Sequence, residues 1–128
     1  MSLSAQILIK ENHIAAFGGI PRTLDQVAKT MGSLDNVVIE VRNTDELSQA
    51  IEANVPIVML DNFSPELVHR VCEWDRGETR LEVSGGVTLD NIGIFSHRSL
   101  DRISIGALTH SVHAPDITLL VDGENAGL

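Results

Sequence analysis

Five short runs of aliphatic and β-branched residues punctuate the chain: Ile7-Leu8-Ile9, Val37-Val38-Ile39, Ile57-Val58-Met59-Leu60, Leu81-Glu82-Val83 and Ile103-Ser104-Ile105. Polar or glycine residues bound each run, which suits short buried strands better than helices. The stretches between them carry apolar residues three and four apart. Thr23 and Gln26 have capping-box spacing ahead of Val27, Ala28 and Met31. Thr44 precedes Leu47, Ala50 and Ile51, and Ser64-Pro65-Glu66 opens a face of Leu67, Val68, Val71 and Cys72. Thr88 starts a fourth candidate helix with Leu89, Ile92 and Phe95, weakened by Gly93. The order β-α-β-α-β-α-β-α-β predicts an α/β fold of about five parallel strands joined by right-handed crossovers.

Composition narrows this picture. Aromatic residues make up only 3% of the chain, so the core must be aliphatic, as in a parallel sheet covered on both faces. A closed eight-stranded α/β barrel typically takes about 250 residues. At 128 residues the chain therefore matches a small open sheet or an incomplete barrel. Nine basic residues against eighteen acidic ones give a net charge of −9, which argues against a basic surface for nucleic acid or an anionic membrane. No apolar run approaches the ~20 residues of a membrane span, and no secretory signal is visible. The single Cys72 forms neither an intrachain disulfide nor a metal-binding pair. A cytoplasmic protein is expected.

The candidate chemistry lies where the strands stop. The runs end in Lys10, Glu40, Asp61, Ser84 and Gly106, at intervals of 30, 21, 23 and 22 residues. Parallel strands set their carboxyl ends on one rim, where α/β proteins place their sites. Glu40 and Asp61 end neighbouring strands and suit sugar hydroxyls, a divalent cation or a developing positive charge; the alternative is that each caps a nearby helix. Ser84-Gly85-Gly86 and Gly106-Ala107-Leu108-Thr109 are turns whose backbone N–H groups can approach a phosphate, the first leading into a helix. The alternative is an ordinary loop using glycine for a positive φ. Lys10-Glu11-Asn12-His13 sets a cation, an amide and an imidazole at the first rim position, and a lysine behind a buried strand calls for an anion, either a substrate phosphate or carboxylate or Glu40 or Asp61 as a structural partner. His13 alone is more often a hydrogen-bonded loop residue. His69, His97, His110 and His113 read as structural or surface residues, Gly18-Gly19 as a flexible loop, and the acidic stretch after Thr118 as a tail.

The blocks Leu8-Ile9-Lys10-Glu11-Asn12-His13-Ile14, Ile39-Glu40-Val41, Met59-Leu60-Asp61-Asn62-Phe63, Leu81-Glu82-Val83-Ser84-Gly85-Gly86-Val87 and Ile105-Gly106-Ala107-Leu108-Thr109-His110-Ser111 resemble, in order, the quinolinate phosphoribosyltransferase family. The resemblance implies a type II phosphoribosyltransferase barrel that transfers phosphoribose from phosphoribosyl pyrophosphate to quinolinate with Mg²⁺. The products are nicotinate mononucleotide for NAD synthesis, pyrophosphate and CO₂. It makes Lys10 an active-site lysine near the substrate anions. Glu40 and Asp61 become the acids that hold the ribose hydroxyls and favour the oxocarbenium-like centre, with Mg²⁺ accompanying the pyrophosphate near them. Ser84, Gly85, Gly86, Gly106 and Ala107 become the 5′-phosphate loops, with Asn12 and His13 as further substrate contacts. Val38 and Arg42 depart slightly from more acidic family residues.

The resemblance also implies that residues 1–128 are the C-terminal part of the barrel domain. The N-terminal sandwich domain, the first barrel strands and the groups that hold the quinolinate carboxylates would then lie outside it, and the isolated chain is not expected to complete the reaction. Bare barrel edges favour self-association, so a homo-oligomer is expected. Two rival readings stand: a homologous phosphoribosyltransferase of another substrate, such as the molybdenum-transport-associated type, and a non-catalytic, self-associating barrel remnant.

Overall fold

A computed structural model describes residues 6–105 and 110–114. In chain order the elements are β1 (Ile7–Ile9), α1 (Glu11–Phe17), α2 (Ile20–Met31), β2 (Val37–Val41), α3 (Thr44–Glu52), β3 (Ile57–Asp61), α4 (Pro65–Cys72), β4 (Arg80–Ser84), α5 (Ile92–Phe95), β5 (Arg102–Ile105) and β6 (His110–His113). The strand order is β1-β2-β3-β4-β5-β6. The chain divides into two compact units, residues 1–59 with 76–80 and residues 60–75 with 81–128.

In the first unit β1 and β2 pair in parallel, with Ile7 opposite Val37 and Ile9 opposite Ile39. Val37, Ile39, Val41, Leu47, Ala50, Val55 and Val58 are completely buried there. The interval of 30 residues between Lys10 and Glu40 accommodates two helices, not one. Gly18 and Gly19 are the corner between them rather than a flexible loop. Gly18 closes α1 in the left-handed region (φ +89), its N–H and that of Gly19 both reaching Ile14 O. Gly19 then caps α2, with Pro21 in the first turn. Thr23 is consequently not a helix start. It lies inside α2, buried, and its hydroxyl donates to Gly19 O at 2.7 Å. The cap of α3 is Asn43, one residue before Thr44; its side chain accepts from Glu46 N.

In the second unit β4 and β5 are parallel, with Val83 opposite Ile103. Ser64 caps α4 as its sequence predicts, its Oγ accepting from Leu67 N, and Pro65 is the first helical residue. The fourth predicted helix shrinks to the four residues of α5, because Thr88 and Asn91 instead bond to each other across a turn and leave Leu89 exposed. β6 is an unexpected sixth strand, antiparallel to β5, with Ile103 opposite Val112. Only four residues join the two, whereas a parallel crossover needs about a dozen or more.

The expectation of burial on both faces holds for β2 alone. In β3, β4 and β5 buried positions alternate with half-buried or exposed ones. In the second unit Leu60, Leu81, Val83, Ile103 and Ile105 are buried, while Asp61, Glu82, Ser84 and Ser104 are half-buried. Polar groups at these half-buried positions remain accessible to solvent and ligand.

Candidate functional site

In the first unit Lys10 follows β1 directly and opens α1. Its backbone N–H donates to His13 Nδ1 at 3.0 Å, and the His13 N–H returns to Lys10 O at 3.0 Å. Asn12 Oδ1 also accepts from the His13 N–H at 3.0 Å. His13 therefore sits in the first turn of a helix rather than in a loop. With Nδ1 accepting, the neutral ring carries its proton on Nε2. The register that pairs Ile9 with Ile39 sets Lys10 and Glu40 at the next level, at the carboxyl ends of β1 and β2. Glu40 is half-buried, but Lys10 is exposed, so burial does not compel an anion partner for the lysine.

Arg42 does more here than its sequence departure suggests. Its guanidinium Nη1 meets Glu11 Oε2 at 2.6 Å and Nη2 meets Glu46 Oε2 at 3.5 Å, while its backbone N–H donates to Glu46 Oε1 at 2.8 Å. The first turn of α1 is thereby tied to the start of α3. The only sequence signal was a cation placed two residues beyond Glu40.

The second unit brings Asp61, Ser84, Gly85 and Gly86 together. Asp61 ends β3 half-buried, and Asn62 turns the chain at φ +60, its N–H donating to Ser84 O at 2.9 Å. Gly85 and Gly86 follow β4 at φ +79 and +78. A Cβ at Gly85 would stand 2.8 Å from Asp61 Oδ1 and 3.1 Å from Asn62 N. Glycine is thus needed twice, for its backbone angle and for the carboxylate beside it. Ser64 supplies the cap of α4 by itself, and among the described residues Asp61 makes no ion pair. The helix-capping alternative for Asp61 is therefore not what the structure contains. With α5 reduced to four residues beginning at Ile92, the helix dipole expected behind the glycine turn gives way to the turn's own amides.

Gly106 and Ala107 lie outside the described residues. His69 and His97 pack ring against ring, centroids 5.5 Å apart, and His97 Nδ1 accepts from Ser99 N at 3.0 Å, in keeping with a structural reading. A cleft of about 700 Å³ in the first unit is lined by Asp35, Asn54, Pro56, Glu78 and Arg80 among others, at the strands' amino ends, and no sequence-predicted site residue borders it. Among the described residues no three His, Cys, Asp or Glu side chains form a metal cage. Glu40 in the first unit and Asp61 in the second are half-buried carboxylates, each an oxygen donor of the kind a Mg²⁺ ion accepts.

Parallel βα units with a carboxylate and a left-handed glycine turn at strand carboxyl ends define an α/β protein with a candidate phosphosugar site. A family model described as quinolinate phosphoribosyl transferase, C-terminal domain, matches residues 1–120, and the chain belongs to that family. It is 34% identical over 119 residues to a probable carboxylating nicotinate-nucleotide pyrophosphorylase of Bacillus subtilis (strain 168), covering 93% of this chain and 41% of that protein. It is 38% identical over 124 residues to the carboxylating nicotinate-nucleotide pyrophosphorylase of Dictyostelium discoideum, covering 94% and 41%. The solved nicotinate-nucleotide pyrophosphorylase from Francisella tularensis shares the fold with a TM-score of 0.73 and 41% identity, over 88% of this chain and 40% of that one. The chain thus spans about two fifths of the length of the relatives it matches.

Gly85→Ala is expected to destabilise the chain more than Gly77→Ala. Both force a left-handed backbone, which costs about 1–2 kcal/mol, but nothing stands within 4 Å of a Cβ at Gly77. Denaturation midpoints check this, and equal losses would contradict the close approach of Asp61.

Proposed function

We propose that this chain carries the phosphoribose-binding part of a quinolinate phosphoribosyltransferase site. The observation that carries this reading is the Asp61 carboxylate set against the Gly85-Gly86 turn, in a member of this family. In the reaction, the quinolinate ring nitrogen bonds to C1′ of phosphoribosyl pyrophosphate as the C1′–oxygen bond breaks and its electron pair leaves with pyrophosphate. The carboxylate at ring position 2 then departs as CO₂, and the electron pair left on that carbon takes up a proton. Nicotinate mononucleotide results.

In this reading Asp61 and Glu40 accept hydrogen bonds from the ribose hydroxyls. Their negative charge also lowers the energy of the oxocarbenium-like centre, more in a half-buried setting than in open water. The N–H groups of the Ser84-Gly85-Gly86 turn grip the 5′-phosphate, a role the family resemblance also gives to Gly106 and Ala107. Lys10, exposed at the end of β1, meets the substrate anions, and Asn12 and His13 stand in the same turn with Nε2–H as the donor histidine offers. Mg²⁺, when bound, would neutralise charge on the pyrophosphate, and the residues that would hold it are the carboxylates the resemblance singles out, Glu40 and Asp61. The acidic composition and single cysteine support a cytoplasmic setting, and no described helix is long and apolar enough to cross a membrane.

Self-association belongs to the same reading. β1 ends the strand order, so one of its edges is unpaired among the described residues, and Leu8 on it is 42% exposed. Light scattering is expected to give a dimer or larger particle; a monodisperse monomer would overturn this part.

Titration calorimetry with phosphoribosyl pyrophosphate and Mg²⁺ tests the main proposal. Saturable binding is expected, weakened about tenfold or more by Asp61→Ala, the loss of hydrogen bonds to a charged acceptor. No binding, or equal affinity of wild type and variant, would refute it.

A further inference from the structure

The amides of a glycine turn bind an anion well only if the turn is held in one shape and its carbonyls are directed elsewhere. Two consecutive left-handed glycines are poorly suited to holding a shape by themselves, because glycine loses more backbone freedom on ordering than any other residue. Something outside the turn must supply the restraint.

Two asparagines do so. On one side, the Asn62 N–H engages Ser84 O at 2.9 Å, at the residue before the glycines. On the other, Asn91 bonds through its side chain and its backbone at once. Its Nδ2 donates to Gly86 O at 2.9 Å, its Oδ1 accepts from Thr88 N at 2.7 Å, and its own N–H reaches Thr88 Oγ1 at 3.3 Å. The carbonyls that bracket the glycines are thus already engaged. An anion approaching the turn therefore meets Ser84 and Gly86 carbonyl oxygens that already hold donors. Asn91 is half-buried, and one carboxamide suffices because it offers a donor and an acceptor on a planar group. The same bonds explain why the predicted helix does not begin at Thr88: the Thr88 N–H and hydroxyl are committed to Asn91, and regular helix waits until Ile92.

We propose that Asn91 is a positioning residue for phosphate recognition: by anchoring Gly86 O and Thr88 N it fixes the Ser84–Val87 turn in its anion-binding form. The inference rests on the functional reading above and deepens it, since it names what shapes the phosphate loop. Asn91 touches the turn, and the turn touches the phosphate.

Calorimetry with inorganic phosphate on the full chain separates the two. Asn91→Ala is expected to weaken phosphate binding about tenfold, about 1.4 kcal/mol. Asn91→Ser, which keeps an uncharged acceptor for the Thr88 N–H but is too short for Gly86 O, should remain folded and lose affinity to a similar degree. Asn43→Ala removes the comparable side-chain cap of α3; it should lower the thermal midpoint and leave phosphate affinity unchanged, marking the Asn91 effect as more than general loosening. If wild type binds phosphate and folded Asn91→Ser binds it equally well, the role of Asn91 is overturned while the functional reading stands. If wild type shows no saturable phosphate binding, the functional reading itself falls, and this inference with it.

Discussion

A carboxylate pressed against a backbone that has no side chain is the constraint on which the candidate site depends. Asp61 Oδ1 stands where a Cβ on Gly85 would clash, and the neighbouring Asn62 nitrogen closes the same space from the backbone side. This approach requires β3 to end at Asp61 and the chain to turn at once through left-handed Asn62. It also requires β4 to end in two glycines at positive φ. Left-handed Asn62 costs conformational energy, and the two glycines cost ordering entropy. Together they put a negative group and a set of amide donors side by side, an arrangement suited to a ligand that is part sugar and part phosphate.

Each unit carries its own candidate groups. In the second, the candidate groups touch one another: Asp61 and Asn62 crowd Gly85, and Asn91 bonds to Gly86. In the first, Lys10 and Glu40 share a level through the β1–β2 register, and the Arg42 ion pairs with Glu11 and Glu46 hold the turn that bears Lys10, Asn12 and His13. These pairs are solvent-facing on at least one side, so each contributes only about 0–1 kcal/mol. Their value lies in orientation more than in stability.

Much of this was legible in the sequence, for a physical reason. Short β-branched runs make strands wherever they fall, so all five predicted strands are present and Lys10, Glu40, Asp61 and Ser84 do stand at their carboxyl ends. What escaped the sequence depends on groups with weak periodicity. α1 begins with Glu11, Asn12 and His13 and offers only Ile14 as a buried residue, so no apolar face announces it. β6 is His110-Ser111-Val112-His113, with one apolar residue, and exists because β5 lies next to it. Thr23 has the composition of a cap, but Gly19 and Pro21 start the helix earlier, and Thr88 gives its bonds to Asn91. Spacing singled out the residues of the glycine turn; only the three-dimensional contacts identify what holds the turn in shape.

The most direct measurement of the central claim is a ¹H–¹⁵N correlation spectrum of the chain during titration with phosphoribosyl pyrophosphate and Mg²⁺. The account predicts saturable shifts of the Gly85 and Gly86 amides together with that of Asn62, all with one dissociation constant. Shifts that do not saturate, or that appear only around Asp35, Asn54 and Arg80 in the cleft at the strands' amino ends, would contradict it.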